Sequence, residues 1–181
     1  MLQGKYTILE KINQGTFGKI FLGKNIFTEE DIIIKTEASD QFTLKHEAEI
    51  YSYLNNSEYL PKFKGYFSNS RNNFLILEKL PTNLNSIKKL DNDINKIKLV
   101  INIHNQLIEC IEFIHEKGVI HRDIKPNNFM IKNDKLKILD FGMAKFFKIN
   151  NEHIPFKKIS AILGSVDYIS TNIHNLDEPS R

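Results

Sequence analysis

The first eighty residues are organised in short apolar runs with β-branched residues, separated by turn residues. Alternation of apolar and polar positions with a period of two is typical of strands. The runs predict five strands, at Tyr6–Ile12, Ile20–Asn25, Asp31–Thr36, Phe63–Ser68 and Phe74–Leu80. Between the third and fourth runs, apolar residues recur at helical spacing, which predicts a helix over Phe42–Leu54. We therefore expect a strand-rich first half with one inserted helix.

The character of the chain changes at Pro81. Beyond it, helical spacing predicts one long amphipathic helix over Leu99–Glu116, and Gly118 follows as a helix stop. Its apolar face consists of Leu99, Ile103, Leu107, Ile111 and Ile114. Two short strands are predicted after it, at Phe129–Ile131 and Lys137–Leu139. From Lys145 onward the periodicity fades, which predicts a loop segment to the end of the sequence.

Composition places further bounds on the class of protein. Of the 181 residues, 41% are hydrophobic and 26% are charged, as in an ordinary globular protein. The net charge of +3 is too small to indicate nucleic-acid binding, and no apolar run approaches the roughly 18 residues that a membrane span needs. The single cysteine, Cys110, falls in the apolar helix, so we expect a small core residue in a reducing compartment. With no signal peptide in view, we expect an intracellular protein of the cytoplasm or nucleus.

The most specific chemical signal is a pair of motifs in the second half. Residues 120–128 read I-H-R-D-I-K-P-N-N, which has the H-R-D-x-x-x-x-N form of a protein-kinase catalytic loop. Twelve residues after Asn128 begins D-F-G, the metal-binding tripeptide that follows such a loop. Phosphoryl transfer needs a carboxylate that orients the acceptor hydroxyl and metal ions that hold the phosphates. Asp123 is the candidate for the first task, and Asn128 and Asp140 are the candidates for the second.

A second phosphate-handling pattern lies between the first two predicted strands. Residues 13–20 read N-Q-G-T-F-G-K-I, which is close to the glycine loop G-x-G-x-x-G-x-V that covers the triphosphate in kinases. Gly15 and Gly18 keep the second and third glycines, and Ile20 stands at the valine position. Asn13 replaces the first glycine; because asparagine tolerates positive φ, we expect weakened rather than abolished nucleotide affinity. Alone this pattern is a weak signal, since a plain hairpin turn also produces it.

Lys35 ends an apolar strand, where the kinase pattern has V-A-I-K. A lysine at this place contacts the α- and β-phosphates and is held by a glutamate of the following helix. Glu47 and Glu49 are the candidates, and because they are two residues apart they point in different directions. We choose Glu47, since Tyr51 four residues later continues the inward face of the helix. The order of all these motifs along the chain argues against an unrelated pair of surface charges.

Over essentially its whole length, the chain resembles the casein kinase 1 family of serine/threonine protein kinases. The resemblance rests on E-A-E-I-Y at 47–51, I-E-F-I-H at 111–115, the catalytic loop through Phe129, and S-T-N-I-H at 170–174. The last is the sharpest marker, because most protein kinases have A-P-E there while casein kinase 1 members look like S-I-N-x-H. The resemblance implies an α+β, two-lobed protein-kinase-like fold, with a strand-rich N-terminal lobe over 1–80, a helical C-terminal lobe over 81–181, and ATP in the cleft.

The same resemblance implies roles for individual residues, with ATP and Mg²⁺ as cofactors. Asp123 and Lys125 would be catalytic, and a lysine at the position of Lys125 is typical of serine/threonine kinases. Asn128 and Asp140 would hold the metal. The residues implied to bind the nucleotide are Asn13, Gly15, Gly18, Ile20, Lys35, Glu47, and the backbone of the linker around Glu78 and Leu80. His121 would pack and hydrogen-bond, and Arg122 would meet a phosphorylated activation loop.

Two departures from the family are visible. Relatives carry a basic residue in the segment that here reads G-S-V-D-Y at 164–168, where it helps to accept an acidic or phosphorylated group of the substrate. Asp167 reverses that charge, so the resemblance does not extend to this preference. Relatives also continue past the position of Arg181 with further helices, so the resemblance implies a complete N-terminal lobe and a partial C-terminal lobe. The apolar face of the helix over Leu99–Glu116 would then lack part of its cover.

Several functions remain open from the sequence. The leading one is an ATP-dependent serine/threonine protein kinase that acts on a protein substrate, with no nucleic-acid or membrane partner expected. The main alternative is a catalytically weak or inactive kinase-like module that binds nucleotide or partner proteins, which Asn13 and Asp167 favour. A chain completed by a second polypeptide is a third reading, and a small-molecule kinase is a fourth. The match at 170–174 argues against the last. The sequence predicts no oligomeric state.

Overall fold

The computed structural model describes residues 2–15, 18–54, 57–84 and 93–179. The chain divides into two compact units, Met1–Leu80 and Pro81–Arg181. Each unit contains both strands and helix, which confirms the α+β class.

The first unit is built on an antiparallel sheet and one helix. Its strands are β1 Tyr6–Gly15, β2 Gly18–Asn25, β3 Asp31–Ala38, β4 Phe63–Ser68 and β5 Asn72–Glu78. The helix, α1 Thr43–Tyr53, links β3 to β4. The strand order across the sheet is β1-β2-β3-β5-β4, and all neighbours are antiparallel. The five strands and the helix that the apolar pattern predicts are therefore confirmed, with small shifts at their ends.

The two faces of this sheet carry different residues, because successive side chains of a strand point to opposite faces. One face holds a buried cluster that consists of Tyr6, Ile32, Ile34, Phe74 and Ile76. Burial of each such side chain stabilises the fold by about 1.5–3 kcal/mol. Lys35 follows Ile34 in β3 and is paired with Leu75 of β5. Lys35 therefore lies on the opposite face, where it reaches α1.

The start of α1 is fixed to the sheet by a buried glutamate near the end of β3. The Oε1 atom of Glu37 accepts hydrogen bonds from the backbone N–H of Leu44 (3.0 Å) and from Nδ2 of Asn73 (3.1 Å). Leu44 belongs to the first turn of α1, whose N–H groups have no partner inside the helix. A carboxylate is also favoured by the helix dipole at this end. Strand β3 therefore determines where α1 begins and which residues α1 presents to the sheet.

The second unit is built around one long helix and several short strands. The helix is α2 Asp93–Glu116, and the strands around it are β6 Thr82–Asn83, β7 Val119–Ile120, β8 Phe129–Lys132 and β9 Lys135–Ile138. Strands β6, β8 and β9 form an antiparallel sheet in that order. Cys110 of α2 is fully buried, with its Sγ atom 3.7 Å from the Leu136 carbonyl oxygen of β9. Cys110 is thus a core residue between α2 and this sheet.

Helix α2 begins six residues earlier than its apolar face predicts. The added turn and a half carries Ile97, which is 59% exposed and so contributes nothing to the buried face. A periodicity argument recognises only the part of a helix that buries an apolar stripe. The C-terminal end agrees with the sequence, since Gly118 adopts φ +75° directly after the helix. In the described part of the chain, no helix combines the length and apolar character needed to cross a membrane.

The segment after Lys145 is more ordered than the predicted loop. It contains three short strands, β10 Lys145–Phe146, β11 Lys148–Ile149 and β12 Glu152–His153, and a short helix, α3 Thr171–His174. Strand β10 pairs with β7, and β11 pairs with β12. Asn150 and Asn151 join the last two strands with φ of 52° and 66°, the positive values that a tight two-residue hairpin turn needs. Two-residue strands are too short to leave a periodic signal, which is why the loop prediction was wrong here.

Candidate active site

The glycine pattern forms a hairpin whose register aligns three of the predicted site residues. Asn13 of β1 is paired with Ile20 of β2, and Ile20 is paired with Lys35 of β3. Directly paired residues share one face of the sheet. Asn13 lies in β1 and does not have a positive φ. The ability of asparagine to adopt positive φ is therefore not used at this position. The turn residues Thr16 and Phe17 lie outside the described residues.

Gly18 is required by a close approach of two strands. Its φ is +145°, and a Cβ atom at this position would lie 2.0 Å from the backbone carbonyl oxygen of Thr36 in β3. No side chain fits at that distance, and the obstacle is backbone, which cannot move aside without separating β2 from β3. Gly18 therefore permits the spacing that puts the hairpin beside Lys35.

We expect Gly18→Ala to lower the free energy of unfolding by about 1–3 kcal/mol and to weaken nucleotide binding, because β2 must move away from β3. Gly65→Ala is the matched control, since Gly65 has φ +147° but has open space where the Cβ atom would stand. Chemical denaturation of both variants measures the difference. An equal loss in the two variants would show that backbone strain, rather than the contact with Thr36, is what matters.

Lys35 forms an ion pair with Glu47 inside the first unit. The Lys35 Nζ atom lies 2.7 Å from Oε1 and 3.0 Å from Oε2 of Glu47. The side chain of Glu47 is 1% exposed and that of Lys35 is 16% exposed. Glu49, the other candidate, is exposed on the opposite side of α1. A buried carboxylate must be paired to offset its loss of water, so Glu47 holds the ammonium group of Lys35 in one place.

The predicted nucleotide linker follows β5. The backbone N–H of Glu78 donates to the Lys62 carbonyl (2.9 Å), and the Glu78 Oε2 atom accepts from the Lys62 N–H (2.9 Å). This double contact ties the end of β5 to the segment before β4. Leu80, two residues on, is buried, and its backbone N–H has no partner among the described residues. Of the linker residues, Leu80 therefore offers a free backbone donor, whereas the N–H of Glu78 is already used.

The carboxylate of Asp123 is contacted by three residues of the second unit. Its Oδ1 atom accepts hydrogen bonds from the Ser165 backbone N–H (3.0 Å) and hydroxyl (2.8 Å). Its Oδ2 atom accepts from Asn128 Nδ2 (3.1 Å) and is 2.8 Å from Lys125 Nζ. Lys125 also donates to the Ser165 hydroxyl (2.8 Å). The two predicted catalytic residues and one predicted metal ligand thus meet in one network.

The network determines the charge of Asp123. Burial alone raises the pKa of the Asp123 carboxyl, but hydrogen bonds from Lys125, Ser165 and Asn128, together with the charge of Lys125, outweigh it. The pKa of Asp123 therefore lies below its ordinary value. The carboxylate is therefore ionised at neutral pH, and both of its oxygens are hydrogen-bond acceptors.

We expect Lys125→Ala to raise the pKa of Asp123, because the first hydrogen bond that lowers it and the nearby positive charge are both removed. Since this pKa is depressed in the folded state, the stability that Asp123 contributes is present above its unfolded-state pKa and is lost as pH falls through its folded-state pKa. In the variant that loss should be smaller and should be complete at a higher pH, and the acid limb of any activity profile should move to higher pH. NMR titration of the Asp123 carboxyl carbon measures the shift without relying on activity. Lys157→Ala, at an exposed lysine of the same unit, should leave it unchanged.

Asn128 and Asp140 lie on neighbouring segments of the second unit. Asn128 is 5% exposed, and the Leu139 N–H donates to its backbone carbonyl (2.9 Å), which brings the residue before Asp140 to the catalytic loop. The Asn128 Nδ2 atom is engaged by the carbonyl and the carboxylate of Asp123, whereas its Oδ1 atom has no partner among the described residues. Asp140 adopts a left-handed backbone, with φ of 65°. Oxygen donors of this kind suit a hard cation.

His121 and Arg122 connect the catalytic loop to the segment around Asp140. The Asp123 N–H donates to His121 Nδ1 (3.3 Å), which leaves the Nε2 proton to donate to the Leu139 carbonyl (2.7 Å). The ring of His121 packs against Phe141, with centroids 5.0 Å apart. Arg122 adopts φ of 66°, and its Nε donates to the Met143 carbonyl (2.5 Å). Burial lowers the pKa of the Arg122 guanidinium, which Glu178 partly opposes.

Sequence reasoning missed two residues of this network, Gly164 and Ser165. Ser165 contacts both Asp123 and Lys125, as described above. Gly164 has φ +94°, and a Cβ atom there would lie 2.7 Å from the Arg122 carbonyl oxygen, so only glycine lets this segment approach the catalytic loop. The signal was present as a Gly-Ser pair before Val166, but neither the pattern nor the spacing indicated which loop it would meet.

The comparison with known families agrees with this geometry. The family model for the protein kinase domain matches residues 6–176. The chain belongs to the protein kinase family. The match spans both units and includes every motif discussed above. Members of the protein kinase family use ATP with a divalent metal ion and act on protein substrates.

The oxygen atoms of Asn128 and Asp140 fit a metal ion whose other ligands are phosphate oxygens of a nucleotide. Among the described residues there is no cluster of three or more histidine, cysteine, aspartate or glutamate side chains that could hold a metal ion alone. Magnesium in kinases needs no such cage, because one or two protein ligands suffice when phosphate oxygens supply the rest. The open Oδ1 atom of Asn128 and the carboxylate of Asp140 make up a set of that kind.

Proposed function

We propose that this protein kinase domain transfers the γ-phosphoryl group of ATP, with Mg²⁺, to serine or threonine hydroxyls of protein substrates in the manner of the casein kinase 1 family. The observation that carries the proposal is the network around Asp123, in which Lys125, Asn128 and Ser165 hold one ionised carboxylate. Phosphoryl transfer depends on positioning and on charge stabilisation rather than on covalent chemistry. A rigidly held, ionised carboxylate beside a lysine provides both.

The contacts of Asp123 suggest how an acceptor hydroxyl is admitted. A carboxylate has about four acceptor sites, and four donors from three residues already occupy those of Asp123. One donor must therefore leave before a substrate hydroxyl can bind. Lys125 is the natural one, because its side chain is 25% exposed and its charge is attracted to phosphate. Lys125 would then turn to the transferring phosphoryl group while the hydroxyl takes its place at Asp123 Oδ2.

The other site residues bind and orient the nucleotide. Lys35, held by Glu47, would contact the α- and β-phosphates, and the backbone N–H of Leu80 is available to the adenine. Asn13, Gly15, Gly18 and Ile20 belong to the hairpin that would cover the phosphates. Asn128 and Asp140 would hold Mg²⁺, which neutralises charge on the phosphates when it is bound. The acceptor type is supported by Lys125, and the casein kinase 1 type by the S-T-N-I-H string at 170–174.

The proposal is tested by transfer of labelled phosphate from ATP to casein, followed by phosphoamino-acid analysis. Labelled phosphoserine or phosphothreonine, dependent on Mg²⁺ and absent with Asp123→Asn, is the expected result. Label on tyrosine would contradict the acceptor assignment. Thermal stabilisation by ATP without transfer above the Asp123→Asn control would instead favour the alternative of a nucleotide-binding interaction module, which the departure at Asn13 supports.

A further inference from the structure

We propose that Asp167 selects protein substrates that carry a lysine or arginine close to the phosphoacceptor hydroxyl. The inference rests on the proposed function, since it assigns a substrate class to the surface beside Asp123. It concerns recognition alone and adds no step to the transfer reaction.

The position of Asp167 is determined by its neighbours along the chain. Ser165 is bonded to Asp123 through both its N–H and its hydroxyl. A single 3₁₀ turn, Val166–Tyr168, starts at the next residue, and the Tyr168 N–H closes it on the Ser165 carbonyl (2.8 Å). Two residues of chain span at most about 7 Å, so the backbone of Asp167 is held that close to the residue that contacts Asp123.

The charge of Asp167 is uncompensated among the described residues. Its side chain is exposed and forms no ion pair or hydrogen bond within the described ranges. Three lysines of the same unit pair with other carboxylates: Lys125 with Asp123, Lys145 with Glu178, and Lys158 with Asp177. The surface next to the catalytic carboxylate therefore presents a free negative charge. This charge attracts a cationic group of the substrate and repels an acidic or phosphorylated one.

The residues on either side of Asp167 suit the same kind of ligand. Val166 is 61% exposed and Tyr168 is 55% exposed. Lysine and arginine side chains lay their methylene stems along apolar surface while the charged head remains solvated. A tyrosine ring also attracts a cation through its face. The exposed triplet Val166-Asp167-Tyr168 thus offers apolar, aromatic and anionic surface within one turn.

The test uses two sets of peptides that differ only in charge. Each peptide has one serine, with arginine or glutamate placed in turn at the three positions before and the three positions after it. For the wild-type protein we expect kcat/KM to be about fivefold higher for the best arginine peptide than for its glutamate counterpart, the size typical of an exposed ion pair. The difference should lie in KM and should shrink as salt is raised.

Variants at Asp167 assign the preference to this residue. Asp167→Asn should remove the preference, and Asp167→Lys should reverse it. Glu152→Gln is the matched control, because Glu152 is an exposed glutamate of the same unit that lies in β12 and is not one of the residues that contact Asp123. A wild-type preference for glutamate peptides, or a preference for arginine that survives in both Asp167 variants, would overturn the proposal.

Binding measurements separate this inference from the proposed function. Fluorescence anisotropy with the same peptides reports affinity whether or not phosphate is transferred. A charge preference in binding that depends on Asp167, with no transfer, would support the inference and contradict the proposed function. Phosphate transfer without a charge preference would support the proposed function and contradict the inference. Failure of every peptide to bind at millimolar concentration would overturn the inference.

Discussion

Replacement of Asp123 with asparagine should lower phosphoryl transfer by about 10³-fold, within the 10²–10⁴ range typical of a positioned acid–base group. The substitution keeps the size of the side chain but removes its charge, so the acceptor hydroxyl loses the group that orients it. The nucleotide is assigned to other residues, so ATP should still raise the melting temperature of the variant. Single-turnover transfer from labelled ATP, with the thermal shift measured on the same samples, gives both quantities.

The network around Asp123 makes a second consequence of this substitution unavoidable. All four contacts of the carboxylate are with donors, so the amide NH₂ of an asparagine must face a donor in either orientation. The Ser165 hydroxyl can rotate to accept, but the Ser165 N–H and the Lys125 ammonium cannot. We therefore expect a loss of about 1–3 kcal/mol in unfolding free energy as well. Asp134→Asn, the same change at an exposed turn residue, should affect neither measurement. Transfer within tenfold of wild type would refute the role of Asp123.

The strands and the long helix were predictable because apolar residues recur along each of them at the period of a strand or of a helix. The strand that ends at Lys35 shows the rule: Ile32 and Ile34 are fully buried on one face, and Lys35 is left on the other. The same reasoning could separate Glu47 from Glu49. Residues two apart on a helix point in different directions, so only Glu47 shares a face with Tyr51, one turn later. The structure pairs Lys35 with Glu47. Local pattern thus carries information about which face a residue occupies.

Contacts between segments distant in the sequence were not predictable in this way. Ser165 meets Asp123 across 42 positions of the chain, and Glu37 meets Asn73 across 36. Neither contact leaves a periodic trace, because each depends on how separately formed segments come together. The loop prediction after Lys145 failed for a related reason. Its short strands are held by partners in β7 and by ion pairs such as Lys145 with Glu178, rather than by their own apolar pattern.

Replacement of Glu47 with glutamine should lower kcat by about 10²-fold, an effect comparable to the loss of one preorganised donor in an active site. The change keeps the volume and leaves an amide that can still accept one hydrogen bond from Lys35. It removes the charge that holds the Lys35 ammonium at 2.7 Å and 3.0 Å from the two carboxylate oxygens. Lys35 is then free to leave the position from which it would contact the phosphates. Lys35→Met should have an effect at least as large, because it removes the cation itself.

The double variant shows whether the two residues act as one unit. If Glu47 works only by holding Lys35, the rate of Lys35→Met/Glu47→Gln should equal that of Lys35→Met alone, rather than fall by the product of the two effects. Glu49→Gln, two residues along the same helix and exposed, is the matched control and should keep the wild-type rate. Because the pair is buried on the glutamate side, Glu47→Gln should also reduce stability, and urea denaturation measures that loss separately from kcat. Fully multiplicative rate effects would mean that Glu47 has a role independent of Lys35, and the ion pair would then be structural rather than part of the nucleotide site.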